Sequence, residues 1–268
     1  MSQPSITLNS LDAEQVYLLP SSAPEFARAL HPDRDKELDI LLPYTPLIKN
    51  DSDKEVIAYS VRWICTDSDG KTGFPEASIF NFWTLRPGSN LPPHTSRLVS
   101  LIQGLGLGHP RLTQGRVDAE RTVALFQKQR SIVIFLEAVV FEDGGAAGRD
   151  ANHWIPRWKA YLDAERDVYG HVSQSVPAQL RASLGKFAAT AFDLAQPLFQ
   201  NELKDDSTHL YLATHHVDTY EDCYVLMRGY YAKEFLAKFE EYGLESTIQS
   251  VKEFIGSKKY PTIKRKEF

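Results

Sequence analysis

Between Val139 and Trp154 the stretch VVFEDGGAAGRDANHW changes the rhythm of the chain. Upstream, apolar residues recur at every second position in short runs. Downstream they recur at every third or fourth. The first spacing is that of a strand with one buried face, the second that of a helix with one buried stripe. A chain of 268 residues with the two patterns in separate halves reads as α+β, with its sheets first and its helices after. The expected division is therefore 1–148 and 149–268. The join need not be a flexible linker, because Trp154 and Trp158 can pack against a sheet.

In the first half the runs SITLNS, QVYLLP, LDILLPYTPLI, EVIAYSVRWICT, ASIFNFWTL, SRLVSLI and SIVIFLEAVVF alternate with turn signals. The clearest is EVIAYSVRWICT. Its Ile57, Tyr59, Val61, Trp63 and Cys65 form a wholly apolar set that should face the core. DSDGKTG follows, and its Asp69-Gly70 pair suits a tight turn. VDAERTVALFQKQR favours a helical connection before the last run. Short strands with these turns predict an antiparallel β-sandwich of immunoglobulin or fibronectin type. The inter-sheet disulfide of antibody domains is missing, since Cys223 lies far from Cys65, and both are expected as buried thiols.

In the second half Trp154, Trp158, Tyr161, Leu162 and Glu165 are helically spaced. A second helix opens near Ser175 and Pro177, with Leu180, Leu184, Phe187, Ala188, Ala191 and Leu194 as its stripe. A third runs from Thr219 to Gly243, and a short fourth uses Ile248, Val251 and Ile255. The phrases AYSVRWICTDSDGKT, RPGSNLPPHTSRLVS and VVFEDGGAAGRD resemble a pattern in uncharacterised bacterial proteins that pair a sandwich-like N-terminal region with a helical remainder. The resemblance implies that architecture and a bacterial cytoplasmic or envelope setting. It implies no activity, and no site residue follows from it.

Net charge is −5, so the whole molecule offers no electrostatic footprint for nucleic acid. No window approaches a membrane span, and MSQPSITLNS lacks the character of a signal peptide. The exception in charge is the C-terminal tail. Its Lys258, Lys259, Lys264, Arg265 and Lys266 face one acid, Glu267, and could touch an anionic surface.

Strong catalytic motifs are missing. The glycines after Glu142 and Asp143 read as a tight turn rather than a calcium loop. QGLGLGHP fails as a dinucleotide fingerprint, because His109 stands where a glycine belongs and Pro110 blocks the helix. Glu137, inside an apolar run, is an ordinary strand-face acid unless it is buried. The densest chemistry is THLYLATHHVDTYEDC. On a strand His209 and His215 share a face and, with Asp218, could hold a divalent metal. Against this, Thr219 and Asp222 form a capping box that accounts for the acids. Aromatic residues offer a different site, a binding surface of Tyr220, Tyr224, Tyr231, Trp154 and Trp158. The expected function is a non-enzymatic binding or structural module with a protein partner or self-association and no cofactor. The alternative is a metal-dependent enzyme built on the cluster at 209–222.

Overall fold

The computed structural model describes residues 4–30, 36–82, 90–99, 115–151, 153–199, 207–257 and 264–265. The chain forms two compact units, Met1–Ala151 with Lys264–Phe268, and Asn152–Ile263. Sheets belong to the first and the long helices to the second, as the α+β reading expects. The boundary lies three residues beyond the expected 148/149, and the chain's last strand returns to the first unit.

The first unit contains β1 (Ser5–Asn9), β2 (Val16–Leu19), α1 (Pro24–Ala29), β3 (Leu47–Asn50), β4 (Val56–Thr66), β5 (Thr72–Phe82), β6 (Thr95–Leu98), α2 (Gly115–Phe126), β7 (Ser131–Phe141), β8 (Gly145–Gly148) and β9 (Lys264–Arg265). One sheet runs β5-β4-β7-β8-β9, with β1 also paired to β7; the other runs β2-β3-β6. The larger sheet is mixed, which corrects the wholly antiparallel expectation: β1 lies parallel to β7, and β9 parallel to β8. A second correction concerns LDILLPYTPLI. Lys36–Tyr44 is a 3-10 segment containing Pro43, and only Leu47–Asn50 is strand. Proline has no N–H for a ladder, so the strand starts after Pro46.

β4 follows its expected alternation from Tyr59 onward, whereas at its start Val56 joins the core cluster in place of Ile57, beside a register shift between Val56 and Ala58. Tyr59, Val61, Trp63 and Cys65 join one buried cluster with Val16, Leu18 and Ile48 from the other sheet. Trp63 donates its indole N–H to the Tyr44 carbonyl at 3.0 Å. The turn after β4 is built by Asp67, whose carboxylate accepts from the N–H groups of Asp69 and Lys71, both at 2.9 Å. Buried Asn50 ties down the β3–β4 connection. Its amide donates to the carbonyls of Lys54, Leu91 and Pro92, and its oxygen accepts from Ser52.

β7 departs from simple alternation. Ser60 pairs with Ala138 and Val61 with Leu136, which leaves Glu137 as an extra residue. An extra residue reverses which side chains face the core. Accordingly Ile132, Ile134 and Leu136 lie in the buried cluster before the bulge, and Val139 and Phe141 after it.

The second unit contains α3 (Trp154–Gln174), α4 (Pro177–Ala195), α5 (Ser207–Ala213), α6 (Tyr220–Tyr242) and α7 (Leu244–Ser257). α6 is its centre and packs on the other four helices. The start of α6 is capped as expected: Asp222 N–H donates to the Thr219 hydroxyl at 3.0 Å, and that hydroxyl donates to the Asp222 carboxylate at 2.8 Å. Gly243, at φ 82°, follows its last turn. Ser175 is not the cap of α4. Val176 holds that position, and Ser175 N–H instead closes α3 on the His171 carbonyl.

Candidate functional site

β7 changes partner along one edge. β1 covers it as far as Phe135, opposite Asn9, and β8 takes over at Ala138, opposite Gly148. Leu136 and Glu137 fall in the gap. A cleft of 620 Å³ opens there, lined by Leu8, Asn9, Ser10, Leu11, Asp12, Ile64, Val133, Phe135, Leu136 and Arg149. A neighbouring cavity of 380 Å³ shares Ser10, Leu11, Asp12 and Arg149 and adds Ala13, Glu14, Ala147 and Gly148. One wall is apolar, from Leu8, Ile64, Val133, Phe135 and Leu136. The other, from Asn9, Ser10, Asp12 and Arg149, is polar except for Leu11, and Arg149 and Asp12 line both spaces.

Local chemistry fixes the polar wall. After β1 the chain turns through Ser10, whose hydroxyl accepts from Leu18 N–H at 2.8 Å. Leu11 then bridges Val16, and Gln15 adopts the left-handed conformation at φ 57°. Gly148 leaves β8 at φ 117°, so close to β7 that a Cβ would stand 2.1 Å from the Glu137 carbonyl oxygen. Only glycine fits that approach. Asp150, itself left-handed at φ 51°, donates its N–H to the same carbonyl at 3.2 Å. These contacts fix the backbone on either side of Arg149, which lines the cleft.

Glu137 is fully buried, which settles its environment against a solvated strand face. Its carboxylate accepts from the Ser60 hydroxyl at 3.1 Å and lies 4.0 Å from the Arg62 guanidinium. Arg62 stands opposite Phe135 and two positions from Ile64 on β4, beside the apolar wall. Burying a carboxylate costs several kcal/mol unless it is paired and hydrogen-bonded, and here it is both. The bulge creates this site, and alternation alone could not place it.

The residues expected as metal ligands are distributed as follows. The segment read as a strand is helical: His209 belongs to α5, and His215 and His216 to the 3-10 turn Thr214–His216. The two-residue alternation behind a shared face of His209 and His215 is therefore replaced. The rings of His209 and His216 meet Phe199 edge-on, at 5.6 and 5.9 Å. The His215 side chain is outside the described residues. Asp218 accepts from the Arg157 guanidinium at 2.8 Å, and Arg157 also donates to the Val217 carbonyl. Among the described residues no group of three His, Cys, Asp or Glu side chains is placed to hold a metal ion.

The expected aromatic surface divides. Trp154, Trp158 and Tyr231 are buried, so they do not present an exposed face. Tyr220 and Tyr224 are half-buried and stack with ring centroids 6.0 Å apart. Their hydroxyls donate to Asp163 at 2.8 Å and to Asp167 at 2.5 Å. Burial pushes the Tyr220 phenol up to about 12, and the Asp163 acceptor adds to the rise. Burial would raise Asp163 in turn. Its hydrogen bonds from Lys159 and Tyr220 outweigh that, and its carboxyl sits below the usual range. Both thiols are buried, and burial raises Cys65 and Cys223 to about 11. A thiol so raised is a poor nucleophile.

The loop that marks the change of rhythm is a hairpin turn. Asp143 accepts from Gly145 N–H at 2.9 Å and from Lys54 at 2.5 Å, and Gly144 takes φ 84°. Of the basic tail, Lys264 and Arg265 form β9, and the remaining bases lie outside the described residues. QGLGLGHP also lies outside them. Among the described residues no helix is long and apolar enough to cross a membrane. No protein-family model, curated protein or solved structure matches the chain.

Proposed function

We propose that this chain is a non-catalytic binding protein. Its first unit is read as an immunoglobulin-like sandwich, and the gap between β1 and β8 takes a small amphipathic anion. The sandwich reading is supported by the single buried cluster to which both sheets contribute. The binding reading rests on one observation: apolar side chains and Arg149 line the same 620 Å³ cleft. Apolar walls with a few placed polar groups are the usual form of a ligand pocket. The ligand's apolar body lies on Ile64, Val133 and Phe135, and its anionic end lies on Arg149. Asp12 limits how much negative charge the cleft accepts. Among the described residues that line it there is neither histidine nor cysteine, and the hydroxyl of Ser10 accepts from Leu18 N–H. The lining thus offers no nucleophile paired with a base, which favours holding a ligand over transforming one.

An anilinonaphthalene sulfonate dye has this chemistry and reports its own burial by fluorescence. The expected result is saturable binding to the native chain. Arg149→Ala should weaken it about tenfold, the scale of one charge-assisted hydrogen bond. Val133→Glu should abolish it. Binding that both variants leave unchanged would remove the cleft as the site.

A further inference from the structure

We propose that the first unit carries a second binding site, a cleft of 470 Å³ lined from α1, β3 and β6, which takes a free α-amino acid with an uncharged polar side chain. The site starts from α1. Glu25 and Arg28 stand three residues apart on it, so they share a face, and both line the cleft. They do not satisfy each other. Among the described residues Arg28 has no ion pair, and Glu25 has only the Lys49 ammonium, 3.9 Å away and beyond hydrogen-bond distance. Lys49 itself is engaged. It lies 2.9 Å from the Asp51 carboxylate, and that hydrogen bond raises it above the usual lysine range, so it stays a cation. The cleft therefore holds a carboxylate and a guanidinium on one helix face, each with hydrogen-bonding capacity to spare.

The main-chain groups of a free amino acid have the matching charges. The carboxylate takes the Arg28 guanidinium, which offers paired N–H donors, and the ammonium takes Glu25. The lining decides between this ligand and others. Glu25 and Asp51 stand against two fixed cations, Arg28 and Lys49, so a simple anion such as phosphate would meet carboxylates in the same space. Among the described residues Ala29 is the only apolar one in the lining, so an amphipathic ligand finds no wall here. The two clefts share no lining residue. What remains for the ligand's side chain is the polar start of β6. Ser96 pairs with Lys49 there, and His94, left-handed at φ 57°, precedes the strand. The Thr95 hydroxyl pins this turn by donating to the Pro92 carbonyl at 2.7 Å. A side-chain amide, which both donates and accepts, suits such a surface.

L-glutamine is the probe, titrated calorimetrically into the full chain. Saturable binding is expected, and it should be unchanged when anilinonaphthalene sulfonate saturates the protein. Neither Glu25 nor Arg28 is buried, so Arg28→Met and Glu25→Gln should keep the fold. Each should weaken binding about tenfold or more, the scale of one charge-assisted hydrogen bond. Glutaramic acid, which is glutamine without its ammonium group, should lose as much. No saturable binding of glutamine would overturn the proposal. So would binding that either variant leaves intact, or glutaramic acid or inorganic phosphate bound as tightly as glutamine. Displacement of glutamine by the dye would also overturn it, while leaving the cleft between β1 and β8 standing, so the two readings fail separately.

Discussion

A methyl group on Gly148 would have to share space with a backbone carbonyl, since its carbon would lie 2.1 Å from the Glu137 oxygen at φ 117°. Gly70 makes the comparison clean. It too has a positive φ, 81°, but nothing lies within 4 Å of an added Cβ. Gly70→Ala should therefore cost only the conformational penalty, about 1 kcal/mol, and Gly148→Ala about 3 kcal/mol or more. Urea unfolding of the two variants measures the difference, and equal losses would mean that the close approach of β8 to β7 is wrong. None of this is legible in the run GGAAG, where three glycines look alike. The distinction depends on what stands opposite each in the sheet. Glu137 was legible as an acid in an apolar run, but not as a buried one. Its burial follows from a bulge, and residue alternation does not encode an inserted residue.

Elements with a strong period were the most readable. β4, α3, α4 and α6 follow from apolar spacing, β7 from its unbroken apolar run though not its bulge, and the Thr219–Asp222 cap from a local motif. Two kinds of feature escaped. One is strand direction, because the parallel partners of β1 and β9 are remote in sequence and no spacing names them. The other is the segment around His209, where helix wins although its short apolar and polar steps also suit a strand. Close packing between helices is a third level, visible only at contacts. Gly229 of α6 meets α4 so tightly that a Cβ would lie 2.1 Å from that of Ala191 and 3.3 Å from the Phe187 carbonyl oxygen. Helix propensity alone would make Gly229→Ala stabilising by about 1 kcal/mol. The contact is with a second Cβ and with backbone, neither of which can swing aside, so overpacking should prevail. The expected net effect is a loss of about 1–2 kcal/mol in thermal or urea unfolding. A stabilised variant would show that α4 and α6 lie farther apart than described.

For the molecule as a whole, the division into a sheet-bearing and a helical unit was legible because the change of period is abrupt. The return of β9 to the first unit was not, since a strand of two residues leaves no pattern. The cleft was invisible for a related reason. It gathers Leu8 to Asp12, Ile64, Val133 to Leu136 and Arg149, which only the strand order brings together. A cleft of this kind is a property of topology, whereas the histidines near 209 and the clustered tyrosines are neighbours in sequence. The most direct test of the account is hydrogen exchange on the full chain with and without saturating anilinonaphthalene sulfonate. Added protection should concentrate on the backbone around Asn9–Asp12, Phe135–Glu137 and Gly148–Asp150. Protection centred on α5 and the start of α6, or no protection despite bound dye, would contradict the claim that the gap between β1 and β8 is where this protein binds.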